Sequence, residues 1–191
     1  MLPLPLGRKY DIIYADPPWK YVWSGSHSRE PGRRWFRAMS VPYASMSERE
    51  LKALPVAELS KPDSLLFMWS TSQHLGQAVR VMESWGWRYK AVFQNWIKTT
   101  STGKDASMPG YYSKSQSEFL LVGVRGRPSK LLPRGCTRPR QLLRAQRSRH
   151  STKPREAMET IERCFLGTDR IELFARSRRD GWDAWGDQLP E

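Results

Sequence analysis

The sequence predicts an α/β domain on a mostly parallel sheet. Three observations support this: apolar runs of strand length, amphipathic segments of helical period between them, and cap or turn residues at their junctions. Tyr10 to Ala15 is the first run, too short for a core helix and nearly all apolar, as in a strand covered on both faces. Ser47 and Glu50 have capping-box spacing, with Leu51 and Leu54 as an apolar face that Pro55 interrupts. Leu65 to Trp69 is the second strand. Leu75, Val79 and Met82 then fall at i, i+4 and i+7, and Gly86 closes that helix. Tyr89 to Ile97 is aromatic and β-branched, a longer strand, and Phe119 to Val124 is another. Pro154 opens a last helix carrying Ala157, Ile161, Cys164 and Phe165, which Gly167 ends before the strand Ile171 to Ala175. Two long connections show no regular pattern. They are Lys20 to Met46, with Trp23, Trp35, Phe36 and Tyr43, and Arg125 to Thr152. Connections of such length inside a domain are usually functional.

The 191 residues fit one domain spanning 1–191, and 39% hydrophobic content supports a real core. No apolar run approaches the roughly 18 residues of a spanning helix, so no membrane is expected. The opening residues lack the pattern of a secretory signal. Cys136 and Cys164 can form neither a disulfide framework nor a zinc site by themselves, so no metal is expected. A cytoplasmic, reduced setting follows as the default.

Charge is concentrated. Between Glu118 and Glu156 no acidic residue occurs, while eleven Lys or Arg do, and the net charge of +13 falls to +2 when they are left out. Nine of the eleven form the candidate phosphate-gripping set: Arg125, Arg127, Lys130, Arg134, Arg138, Arg140, Arg144, Arg147 and Arg149. Such a segment, at 125–152, suits a nucleic-acid backbone, where each neutralised phosphate releases a counterion. The bland alternative is a solvated basic loop.

Directly after the first strand stand Asp16, Pro17, Pro18 and Trp19. In open α/β sheets ligands bind beyond the carboxyl ends of strands, which is where this tetrapeptide falls. Its prolines fix φ and remove backbone donors, leaving the carbonyls of Asp16 and Pro17 free and rigidly aimed. A carboxylate and a carbonyl accept the two N–H bonds of a planar amine while an indole stacks on its ring. An exocyclic amine of adenine or cytosine fits that description. Its lone pair is delocalised, and acceptors on its protons stabilise the positive charge that develops on attack.

The tetrapeptide resembles the signature of amino-group methyltransferases. Further stretches extend the likeness in order: Pro42 to Ser47, Leu66 to Leu75, Trp85 to Tyr89, Trp96 to Lys98, Ser117 to Gly126, His150 to Pro154, Arg170 to Trp182 and Asp183 to Gln188. Together they resemble the adenine-N6 methyltransferases related to the catalytic subunit of the mRNA adenosine methyltransferase, a family with bacterial and phage members thought to act on DNA. The resemblance implies S-adenosyl-L-methionine as methyl donor. It also implies a Rossmann-like class I methyltransferase fold with permuted motif order and helices on both faces of the sheet. By the same resemblance Asp16, Pro17, Pro18 and Trp19 form the catalytic corner, and Asp16 also borders the donor. Lys153 pairs with the donor's carboxylate, Phe174 and Arg176 lie along its adenosine, and Asp187 and Gln188 bond its ribose hydroxyls. One departure is Asp187, where the family usually has Asn. A carboxylate accepts from ribose hydroxyls but cannot donate.

His150 is read as ordering its loop, Trp69, Trp85 and Trp96 as packing, Trp182 and Trp185 as bracing the donor pocket, and Trp23, Trp35 and Tyr111 as base-stacking candidates. The expected function is donor-dependent adenine-N6 methylation of nucleic acid, DNA favoured over RNA, by a single copy or a homodimer. The alternatives are a catalytically silent nucleic-acid-binding subunit, an RNA adenosine methyltransferase, and amino methylation of cytosine, a small molecule or a protein amide.

Overall fold

A computed structural model describes residues 3–20, 45–108, 112–132, 137–147 and 152–190. Trp23, Trp35, Phe36, Tyr43, Tyr111, Arg134, Cys136, Arg149 and His150 lie outside the described residues.

Tyr10–Ala15 forms strand β1, buried at every position but Asp11. Alternate side chains serve two cores: Ile13 and Ala15 join one apolar cluster, Ile12 and Tyr14 the other. Ser60–Thr71 (β2) repeats the division, with Leu66 and Met68 on one face and Leu65, Phe67 and Trp69 on the other. This period of two, with both faces apolar, is what a sheet covered on both sides demands.

The sheet has seven strands. Besides β1 and β2 they are β3 (Arg88–Thr99), β4 (Ser117–Arg125), β5 (Leu142–Gln146), β6 (Arg170–Leu173) and β7 (Asp183–Trp185). Their order is β5-β3-β4-β2-β1-β6-β7. β4 is antiparallel to both its neighbours and every other pair is parallel, so β4 alone runs against the rest. Helices α1 (Glu48–Lys52) and α2 (Leu75–Ser84) cover one face. Helix α3 (Arg155–Cys164) covers the other. The predicted mostly parallel sheet with helices on both faces is the fold observed.

Local chemistry accounts for the helix ends. The capping box is formed: the Ser47 hydroxyl accepts from the Glu50 amide, and the Glu50 carboxylate accepts from the Ser47 amide at 2.7 Å. In α2 the fully buried side chains are Ala78, Val81 and Met82, with Leu75 and Val79 at the margin of the face. Gly86 and Gly167, after α2 and α3, have φ of +95° and +66°, a region that side chains disfavour.

Two strands escape the apolar pattern. The connection from Arg125 to Thr152 is not structureless: it holds β5, parallel to β3 at the sheet edge. Only Leu143 and Ala145 of β5 pack inward, so an edge strand rich in polar residues leaves no apolar run to read. Strand β7 is just three residues long.

Candidate active site

Strand β1 lies between β2, reached through α1, and β6, reached through α3 on the opposite face. Chain direction across the sheet therefore switches between β1 and β6, the place where open α/β sheets leave a crevice. Asp16 and Arg176 border that crevice. A cleft open to solvent is lined by Asp16, Pro17, Pro18, Trp19, Trp69, Ser70, Thr71, Glu118, Lys153 and Arg176.

The corner after β1 is fixed by its own backbone. The Trp19 amide donates to the Pro17 carbonyl at 2.8 Å, closing a tight three-residue turn, and the Met46 amide donates to the Pro18 carbonyl at 2.7 Å. The Pro17 carbonyl is thus already engaged, contrary to the expectation that it stands free. It keeps its second lone pair for a further donor. The Trp19 indole, expected to stack on a substrate, is engaged by the protein itself. It is 6% exposed, its N–H donates to the Trp69 carbonyl at 3.1 Å, and its ring stacks on His74 at 5.7 Å. It anchors the corner to β2 while forming part of the cleft wall.

Four charges run in alternating sign, three of them lining the cleft and Lys98 behind Glu118. Lys98 on β3 meets Glu118 on β4 at 2.5 Å, Glu118 meets Lys153 at 3.2 Å, and Lys153 meets Asp16 at 2.8 Å. All four side chains are less than a fifth exposed. Burial pushes the Asp16 carboxyl up, and Lys153 only partly offsets it. Burial acts the same way on Glu118, but the ammoniums of Lys153 and Lys98 outweigh it and leave its carboxyl low. For Lys153, burial disfavours the charge, yet Asp16 and Glu118 more than compensate and keep it protonated. On β6, Glu172 is pushed up to about 7, chiefly by burial and then by the Asp16 charge.

The opposite wall comes from the end of β6. Phe174 adopts φ of 62°, rare outside glycine, and packs edge-on to Trp185 at 5.4 Å. The Ala175 amide donates to the Trp185 carbonyl at 2.9 Å. Gly186 makes the close approach possible, since a Cβ there would stand 2.2 Å from the Ala175 carbonyl oxygen. Asp187 and Gln188 follow, exposed. Phe174, Asp187 and Gln188 are therefore tied to Arg176 through the backbone but do not line the cleft itself. Trp182 braces this loop differently from expectation: its indole and the Arg179 guanidinium both hold Glu162 of α3.

Sequence reasoning missed Glu118 and Lys98. The available signal was a lone acid opening an otherwise apolar strand, and a lysine closing its neighbour. No group of three or more His, Cys, Asp or Glu suited to a metal occurs among the described residues. Among them, too, no helix is long and apolar enough to cross a membrane.

The basic run is not one patch. Because β4 runs backwards, Arg125 pairs in register with Ser64 and Glu118 with Thr71, at opposite ends of the sheet. At ~3.3 Å per residue, the strand separates them by about 23 Å. Arg125 is also committed internally: it donates to the Ala57 carbonyl and the Ser60 hydroxyl and lies over Trp87. Arg127 and the exposed Lys130 share that far end, beside Asp63. Arg138 and Arg140 are exposed ahead of β5, while Arg144, paired with Asp105, and Arg147, beside Thr99, reach the cleft end.

A charged cleft at the switch point of a nearly unidirectional sheet defines a Rossmann-like α/β enzyme. Comparison with known proteins narrows the class. The family model described as MT-A70 matches residues 10–188, and the chain belongs to this methyltransferase family. It is 36% identical over 193 residues to the Type II methyltransferase M.MunI of a Mycoplasma species, covering 96% of this chain and 79% of that protein. It is 31% identical to a Drosophila melanogaster N(6)-adenosine-methyltransferase MT-A70-like protein over 186 residues, covering 95% of this chain and 27% of that protein. The human N(6)-adenosine-methyltransferase catalytic subunit METTL3 is 28% identical over 187 residues, 95% of this chain and 28% of its own length.

Proposed function

We propose that this methyltransferase uses S-adenosyl-L-methionine to methylate the N6 amine of adenine in nucleic acid, DNA in preference to RNA. The observation that carries the reading is the partly buried Asp16 carboxylate, held by Lys153 at 2.8 Å, and the Pro17 carbonyl, held in its turn by the Trp19 amide, from two adjacent residues that line the cleft. That pair accepts the two N–H bonds of an aromatic amine. Bound there, the amine loses conjugation with its ring, and Asp16 stabilises the positive charge that grows on nitrogen. The turn through Pro17 and Pro18 and the Trp19 anchor hold these acceptors still, so little reorganisation accompanies reaction.

The residues present suit the donor. Lys153 offers an ammonium to its carboxylate, Arg176 and Phe174 flank the strand end, and Asp187 and Gln188 offer exposed acceptors to ribose hydroxyls. When bound, the donor supplies an electrophilic methyl group on a sulfonium. No metal ligand set is required of the protein.

A base in a duplex reaches such a corner only by leaving the stack, which costs a few kcal/mol. Exposed Arg144 and Arg147 would grip phosphates at the cleft end of the sheet, with exposed Arg138 and Arg140 ahead of β5 extending the contact. DNA is favoured because the Type II methyltransferase is matched over most of its own length, whereas the adenosine methyltransferases are matched over about a quarter of theirs. Incubation with labelled donor and matched DNA and RNA pools, followed by nucleoside mass spectrometry, tests all of this. N6-methyladenine in DNA supports the reading, and label on cytosine or in RNA alone refutes it.

A further inference from the structure

We propose that Lys98 is a positioning residue for methyl transfer, acting through Glu118 and Lys153 to hold Asp16 ionised and correctly aimed. The inference rests on the amine-methylation reading above.

Asp16, Glu118 and Lys153 alone make a cluster with two negative charges and one positive, under partial burial. Lys98, only 17% exposed at its side chain, makes the set neutral. Its position is determined by the sheet: the Lys98 amide donates to the Gln116 carbonyl at 2.9 Å, which brings its side chain beside Glu118 on β4. Its ammonium also lies 5.2 Å from the Trp96 ring centre. Glu118 therefore has a cation on each oxygen, Lys98 on Oε1 and Lys153 on Oε2. The contact to Lys98 is the shorter, so Lys153 leans towards Asp16.

Without Lys98, Glu118 has one cation left to pair with and competes with Asp16 for it. A buried cluster with excess negative charge relieves itself by binding a proton. Glu118, having lost one of the two cations that keep it low, draws Lys153 away from Asp16, whose burial then favours its neutral form. A protonated Asp16 accepts poorly from the substrate amine. The other charges near Asp16, Arg176 after β6 and Glu172 on β6, oppose each other and do not replace the missing cation. Arg144 on the adjoining strand β5 is paired with Asp105.

The test compares wild type, Lys98→Met and Lys98→Arg in labelled-donor assays across pH 5 to 9, with thermal denaturation as the folding control. Lys98→Met is expected to lower kcat about tenfold at pH 7, leave KM for both substrates within about threefold, and move the acid limb of the kcat profile up by about one pH unit. Lys98→Arg is expected to restore most of the rate. Carboxyl NMR titration of the ligand-free proteins supplies a readout independent of activity: Lys98→Met should show one carboxyl of the Asp16–Glu118 pair titrating about one unit higher. A normal kcat profile and unshifted carboxyls in Lys98→Met would overturn the inference. So would an effect confined to KM for nucleic acid, which would make Lys98 a phosphate contact. An inactive wild type would instead remove the amine-methylation reading, and the carboxyl titration would still decide the coupling.

Discussion

Asp16 and Lys153 come from opposite ends of the chain, yet the Lys153 ammonium lies 2.8 Å from the Asp16 carboxylate and stands between it and Glu118. The pair joins the loop after β1 to the turn before α3, across the point where the sheet's connections change direction. One cation thereby serves two carboxylates and faces the cleft in which the donor is proposed to bind.

Replacing Lys153 with Met leaves Asp16 and Glu118 with a single compensating cation, Lys98. Breaking a buried pair in this way costs about 3 kcal/mol of stability. Donor affinity, measured by calorimetry, is expected to fall at least tenfold. Undiminished donor binding would remove Lys153 from the donor site.

Glu172 links stability to pH. Its folded-state value is about 7, above the ordinary 4.5, because burial and the Asp16 charge disfavour its anion. Below pH 4.5 it is neutral in both states and contributes no difference. Between 4.5 and 7 the folded state keeps a proton that the unfolded state has lost, so stability drops as pH rises through that window. The loss reaches about 3 kcal/mol. Glu172→Gln should therefore raise the melting temperature above pH 7 and leave it nearly unchanged at pH 4. Equal gains at both pH values would contradict the linkage.

Gly186→Ala places a methyl against the Ala175 carbonyl, 2.2 Å from its oxygen. Backbone must move, at about 1–3 kcal/mol, and the loop bearing Asp187 and Gln188 shifts away from Arg176. Donor affinity is expected to fall about tenfold, with the far end of the sheet unaffected. Wild-type donor binding would place the ribose contacts elsewhere.

The split of the basic run predicts two classes of arginine. Arg147→Ala should weaken nucleic-acid binding and reduce its salt slope by about one. Arg127→Ala and Lys130→Ala, at the other end of the sheet, should change neither. Arg125→Ala should instead destabilise the fold, since that guanidinium ties β4 to the residues before β2. Equal effects from Arg127 and Arg147 on the salt slope would restore a single patch.

Strands β1, β4 and β6 were legible because each carries an apolar run, although β4 extends beyond its run to Ser117–Arg125 and β6 stops at Leu173 rather than Ala175, and α1 because Ser47 and Glu50 form a box within four residues. Strand β5 was not, since an edge strand need bury only one face, here Leu143 and Ala145. The proposed catalytic corner was readable from Asp16 to Trp19 because its residues are adjacent in sequence. The charge chain was not, because Lys98 and Glu118 meet through the register of β3 on reversed β4, and Lys153 reaches Glu118 from the turn before α3. That same reversal hid the division of the basic run: contiguous charge in sequence became two ends of a sheet in space.

The most direct test of the central claim compares wild type with Asp16→Asn, a change that keeps shape and removes the anion, in single-turnover methyl transfer to an adenine-containing duplex. The expected result is label on the exocyclic nitrogen of adenine with wild type and a rate at least about 100-fold lower with the variant, whose fold is unchanged. Transfer by Asp16→Asn at the wild-type rate would contradict the claim that this carboxylate activates the amine.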